Sequence, residues 1–106
     1  MDRLRSRIES LPAEEFRRMV EVNLLGTFNV LEGARAADTP PPVLYASTNK
    51  VYGALEHLDV ERTSGGYRFR DLDGVGEETP LDFHSPYGCS KGGADQYVRD
   101  YARIYG

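Results

Sequence analysis

The chain has 106 residues, 40% of them hydrophobic and 28% charged, with a net charge of −4 and a pI near 5.1. That length holds one domain, and the acidic balance offers no basic patch for nucleic acid or an anionic membrane surface. No apolar run nears the roughly 20 residues that span a bilayer, and one cysteine and two distant histidines exclude an internal disulfide and disfavour a structural metal site.

Residues 1–11 are too charged for a core and read as a poorly ordered lead-in, with no apolar region behind Arg3, Arg5 and Arg7 to make a secretory signal. Cytoplasmic localisation is the expectation. Ser10 is placed to cap a helix that begins near Pro12, with Glu14 and Glu15 in its first turn. From Pro12 to about Ala37, Phe16, Val20, Leu24, Phe28, Leu31 and Ala34 recur every three or four positions, which puts them on one helical face. Such a helix is about 39 Å long at 1.5 Å per residue. Gly26 inside it points to a close helix contact, because an unneeded mid-helix glycine costs up to about 1 kcal/mol against alanine. Asn23 falls on the apolar stripe, either as a buried amide satisfied by its neighbours or as a functional group.

Pro40, Pro41 and Pro42 end the helix. Val43 to Thr48 then reads as a strand covered on both faces, as in parallel α/β sheets. Ligands in such sheets bind beyond the carboxyl ends of the strands, which is where Ser47, Thr48, Asn49 and Lys50 lie. Residues 54–82 are polar and glycine-rich, with a weak alternation at Tyr67–Arg70 that would make a short exposed strand. A loop of that length in a small domain suggests a lid or a substrate-side excursion. Pro86 opens a last helix that runs to about Tyr105, and Gly92 and Gly93 within it imply tight packing.

Tyr87 and Lys91 are four residues apart on that helix, so their side chains reach the same region. A free phenol, with a pKa of about 10, is a poor base at neutral pH, and a neighbouring ammonium favours its ionised form. With a hydroxyl such as Thr48 to share the proton, the trio suits removal of a proton from an alcohol or sugar hydroxyl while a hydride leaves the same carbon. The Tyr-x-x-x-Lys spacing alone is weak in a chain with seven tyrosines, and a plain surface pair on a helix competes with it.

The joint pattern is more specific. Asn23-Leu24-Leu25-Gly26-Thr27, Ser47-Thr48-Asn49-Lys50-Val51-Tyr52-Gly53 and Pro86-Tyr87-Gly88-Cys89-Ser90-Lys91, in that order over residues 12–106, resemble the extended short-chain dehydrogenase/reductase family. Within it they resemble the NAD-dependent nucleotide-sugar epimerases and dehydratases, and are most similar to the CDP-paratose (CDP-tyvelose) 2-epimerases. The resemblance implies Tyr87 as general acid/base, Lys91 as its helper and a ligand of the nicotinamide ribose, and Thr48 as the catalytic hydroxyl. It also implies cofactor contacts from Tyr87, Lys91, Ser47 and Asn23, and substrate contacts from Thr48, Asn49 and Lys50. The 4,6-dehydratases of the family carry Asp-Glu after that Thr; Asn49 and Lys50 stand there instead, which disfavours dehydration. The implied reaction inverts a carbon of a nucleotide sugar, C2 of a CDP-sugar in the most similar members, by transient oxidation to a ketone, with NAD taking the hydride and returning it to the ketone's other face. A UDP-sugar 4-epimerase is the alternative enzyme. Cys89 is expected to be a small packed residue.

The family's Gly-x-x-Gly-x-x-Gly fingerprint is not in this sequence, nor is the acidic residue that binds the adenosine ribose. The expected fold is therefore α/β, a partial Rossmann-type fold with two long helices, one parallel-type strand and a long loop, residues 12–106 being the central segment of the NAD-binding domain. A truncated or frameshifted reading frame is one expectation for such a segment, and the isolated chain is expected to bind NAD poorly and be inactive. In the family the helices matching 12–37 and 86–105 form a four-helix dimer interface, which implies a homodimer. A non-catalytic dimerisation module or a gene relic is the rival reading.

Overall fold

The computed structural model describes residues 10–106; the lead-in expected over 1–11 falls, for residues 1–9, outside the described residues. The long N-terminal helix forms in three pieces: α1 (Ala13–Met19), one widened π-helical stretch (Val20–Leu25) and α2 (Gly26–Ala36). Pro12, with extended backbone and no side-chain cap, is its N-cap, two positions after the Ser10 that the sequence suggested. Pro12 works in that place because its carbonyl still accepts the first turn's bond, from the Phe16 N–H at 3.1 Å, while its fixed φ starts the helix. The close contact expected at Gly26 is also absent. The nearest atom that a Cβ there would meet is the Glu21 carbonyl of its own turn, at 3.5 Å.

The chain then runs through its prolines into an extended segment. Residues 43–48 make no ladder: the sheet among the described residues is the antiparallel hairpin of β1 (Val60–Thr63) and β2 (Gly66–Phe69). The parallel-type strand expected over 43–48 thus does not form among the described residues, and Leu44 is 98% exposed rather than covered on both faces. A strand needs a neighbour to take its N–H and C=O groups, and no described segment lies in that position. The hairpin realises the weak alternation at Tyr67–Phe69. The ion pair between Arg68 Nε and Glu61 Oε1, at 2.6 Å, joins residues directly opposite in its register.

Helix α3 (Ser85–Tyr105) lies along the N-terminal helix and begins and ends where Pro86 and Tyr105 were expected to bound it. The buried apolar residues among those described are Leu31, Val51 and Ala94, one from each of three elements. The radius of gyration is 17.2 Å, against about 13 Å for a compact domain of 100 residues, so these elements do not close on a large common core. No helix of the described residues is long and apolar enough to cross a membrane.

The far end of the helix pair is held by a polar cluster. The Tyr101 hydroxyl donates to Glu32 Oε1, Arg35 bonds the same carboxylate at 2.6 Å, and the Arg35 guanidinium stacks 5.1 Å from the Tyr105 ring centre. The bonds from Arg35 and Tyr101 hold the Glu32 carboxyl below its ordinary range. The bond to Glu32 pushes the Tyr101 phenol up to about 12, from about 10 for a free phenol. A phenol whose folded pKa is raised adds stability that is complete below the unfolded value and lost as pH rises through the folded one. The helix pair is therefore expected to loosen between about pH 10 and 12, seen as a falling melting temperature, and Tyr101→Phe should remove that part of the pH dependence.

Candidate active site

The site is assembled where the 43–48 segment ends beside the first turns of α3. Thr48 keeps extended backbone (φ −141, ψ 148) and its Oγ1 accepts the Lys50 N–H at 3.2 Å. That bond caps a 3₁₀ turn, Asn49–Tyr52, which closes at Gly53 with φ +69. The Thr48 hydroxyl accepts there, so its own proton remains available to a ligand. Ser47, Asn49 and Lys50 are exposed and Thr48 is half-buried.

Tyr87 and Lys91 stand one turn apart on α3, as their spacing requires. Two details of the sequence start the helix there. Ser85 adopts φ +66, uncommon for a residue with a Cβ, and its Oγ accepts the Gly88 N–H at 3.0 Å. Gly88 leaves room for the 3₁₀ turn: a Cβ at that position would stand 3.0 Å from the Lys50 Cβ. The helix and the turn can approach because there is no side chain between them.

Lys91 is tied to the extended segment. Its Nζ donates to the Ala46 carbonyl at 2.8 Å and sits 4.4 Å from the centre of the Tyr45 ring. Tyr45 returns the contact, its hydroxyl donating to the Lys91 carbonyl at 3.2 Å. The ammonium has three donors and spends one on the Ala46 carbonyl, so two remain. The Tyr87 side chain is 44% exposed. Among the described hydrogen bonds none joins its phenol to Thr48 or Lys91.

Asn23 lies in the widened helical stretch, a feature that often marks functional positions in helices. Its Nδ2 donates to Ser90 Oγ at 3.1 Å, and the Ser90 hydroxyl donates in turn to the Tyr87 carbonyl at 2.8 Å. Asn23 is therefore a satisfied amide that buttresses the turn between Tyr87 and Lys91. Ser90, 6% exposed, and Tyr45 belong to the site although sequence reasoning did not single them out. The only available signal for Ser90 was a small hydroxyl three residues after Tyr87, and for Tyr45 an aromatic at the start of the same run as Thr48.

The structure thus brings Lys91 to Tyr45 and Ala46 and Asn23 to the Tyr87 turn, and leaves Asn49, Lys50 and Tyr87 exposed to solvent. A phenol, an ammonium with free donors and a hydroxyl with a free proton are the kinds of group that handling an alcohol's proton requires. The same donors suit the hydroxyls of a ribose.

Comparison with known proteins bears on what that surface serves. The family model described as GDP-mannose 4,6 dehydratase matches residues 12–106. The chain is 53% identical over 87 residues to the CDP-paratose 2-epimerase of Salmonella typhi, covering 81% of this chain and 26% of that protein. It is 34% identical over 86 residues to a putative UDP-glucose 4-epimerase of Methanocaldococcus jannaschii (81% and 23%). It is 36% identical over 87 residues to a dTDP-glucose 4,6-dehydratase of Mycobacterium tuberculosis (82% and 22%). The chain spans about a quarter of the length of these curated relatives.

Proposed function

The chain belongs to the GDP-mannose 4,6 dehydratase family, and on that footing we propose that it is the central stretch of an NAD-dependent nucleotide-sugar epimerase. The substrate class we assign is a CDP-sugar and the reaction inversion at C2. The observation that carries this reading is the 53% identity to a CDP-paratose 2-epimerase, together with Asn49 and Lys50 after Thr48. Asn49 and Lys50 hold no carboxyl to act as the acid and base of a dehydration.

The residues present fit the ribose end of the cofactor: Lys91 retains two donors beyond Ala46 and Thr48 retains its proton. Bound NAD supplies reversible hydride acceptance at the sugar carbon, so that the carbon passes through a ketone and can be reduced from its other face. Tyr87 takes the proton of the sugar hydroxyl as that carbon is oxidised and returns it when the alcohol reforms, so no net proton is consumed. Thr48 donates to the same sugar oxygen and fixes its direction. Lys91, anchored through Ala46, holds positive charge one turn from the phenol and offers its remaining donors to the ribose. Asn49 and Lys50 contact the sugar nucleotide, Ser47 and Asn23 supporting the cofactor side.

A specific observation also favours self-association. Phe16, Val22, Leu25 and Phe28 are large, apolar and between 44% and 63% exposed along the N-terminal helix, as is Tyr97 on α3 at 51%. Apolar surface of this kind marks contact surfaces, and a homodimer through 12–37 and 86–105 would cover it.

The test begins with the coding DNA on both sides of this segment, followed by purification of the whole product that carries it. Incubated with NAD and a CDP-2-hydroxy sugar, that product should interconvert the C2 epimers by NMR. Activity on a UDP-sugar at C4 instead would transfer the assignment to a 4-epimerase. The 106-residue chain alone should show no turnover and no saturable NAD binding while still self-associating on sedimentation. A 106-residue product that epimerises by itself would overturn the reading of this segment as a part.

A further inference from the structure

The tripeptide Asp82-Phe83-His84 lies between the two halves of the candidate site and touches both. Successive residues of an extended segment face opposite ways, and this one uses both directions. On one side, the Asp82 N–H donates to the Val51 carbonyl at 2.8 Å and the His84 N–H to the Lys50 carbonyl at 3.2 Å. The side chains of the same two residues meet, His84 Nε2 standing 3.0 Å from Asp82 Oδ2. On the other side, the Phe83 ring packs on α3 at Gly92, where a Cβ would stand 2.8 Å from the ring.

Gly53 makes the side-chain pair possible. Its φ of +69 closes the 3₁₀ turn, and a Cβ there would lie 2.8 Å from the Asp82 carbonyl, 2.9 Å from Asp82 Oδ2 and 3.0 Å from His84 Nε2. The pair thus sits directly against the bare backbone that ends the Thr48–Gly53 turn. His84 is also the N-cap residue of α3, three positions before Tyr87.

We infer that His84 is a positioning residue: its bond to Asp82 fixes the shape of the tripeptide whose N–H groups hold the turn that follows Thr48, and so latches that turn beside the start of the helix that carries Tyr87. A carboxylate only accepts, so the latched histidine carries its proton on Nε2. With the latch closed, Thr48 and Tyr87 hold a fixed separation across the gap that receives the sugar hydroxyl. With it open, the backbone bonds from residues 82 and 84 lose their support and the two groups drift apart. The catalytic half of this inference rests on the epimerase reading; the latch itself does not.

Amide exchange measured by NMR on the chain tests the latch. His84→Phe keeps a planar ring but lacks the donor, and should speed exchange at the Asp82 and His84 amides about tenfold or more relative to amides of the Glu32–Tyr101 end. His84→Gln restores an N–H donor and should restore protection, and Gly53→Ala should open the same two amides from the opposite side. The ¹⁵N spectrum of the unsubstituted chain should show the proton on His84 Nε2. Unchanged protection in His84→Phe, a Gln variant as exposed as the Phe variant, or a uniform rise in exchange across α3 would each overturn the latch. In the whole product, His84→Phe should lower kcat about tenfold to a hundredfold with KM for the sugar nearly unchanged, because misplacement of about an ångström acts on the chemical step. If exchange shows the latch open but kcat holds, the positioning role is overturned while the epimerase stands. If the unsubstituted product does not epimerise at all, the epimerase reading fails and the exchange result still decides the latch.

Discussion

Tyr87→Phe in the whole product should reduce kcat for C2 inversion by about a hundredfold to ten-thousandfold, the range that a positioned general acid–base group contributes. The change removes one oxygen from a side chain that is 44% exposed and whose hydroxyl makes no described hydrogen bond, so packing and stability should hardly change. KM for the sugar nucleotide should move little, since the phenol acts on the proton in the chemical step. Lys91→Met should give a different pattern. It removes the bond to the Ala46 carbonyl and the charge over the Tyr45 ring as well as the donors proposed for the cofactor ribose, so it should lower kcat, weaken NAD binding and loosen the 45–48 segment together. A single-turnover assay with an isotope-labelled C2 hydrogen separates the cases. In Tyr87→Phe, exchange of that hydrogen with the cofactor should slow in proportion to kcat. A variant that epimerises at the parent rate would remove Tyr87 from the chemistry.

The elements that proved legible in the sequence are those whose signal is local. Proline at residue 86 and turn-spaced apolar residues from Tyr87 to Tyr101 mark α3 by themselves, and the Tyr67–Phe69 alternation marks half of the hairpin. The widened stretch Val20–Leu25 left no trace, because one loosened turn preserves the spacing of three and four that signals a helix. The 43–48 run has the composition of a buried strand, yet strand formation depends on neighbours that composition cannot supply. The site divides in the same way. Thr48, Tyr87 and Lys91 stand out as candidates because their residue types and spacing carry chemistry. Ser90 and His84 were not, because their roles exist only through partners: Asn23 lies 67 positions from Ser90, and His84 matters through a pair that Gly53 accommodates.

Glycine at residue 92 offers the largest expected effect on stability. Gly92 is buried on α3, and three atoms of the Phe83 ring would stand 2.8–2.9 Å from a Cβ placed there. Such contacts require something to move. The ring has little freedom to retreat, because the residues on both sides of it are bound by their N–H groups to the 3₁₀ turn. Gly92→Val should therefore destabilise the chain by about 2–3 kcal/mol, the usual cost of overpacking, well beyond the few tenths that valine gains over glycine in a helix. For a domain of this size that lowers the melting temperature by roughly 10–20 °C. Gly33 supplies the control. It too is helical, on α2, but nothing lies within 4 Å of a Cβ there, so Gly33→Ala should stabilise by about 0.5–1 kcal/mol. Thermal unfolding followed by circular dichroism reads both. Opposite signs at two helical glycines would show that the cost at residue 92 comes from Phe83 and not from the helix. Because Phe83 is the middle residue of the Asp82–His84 tripeptide, Gly92→Val should also speed exchange at the Asp82 and His84 amides, whereas Gly33→Ala should leave them protected.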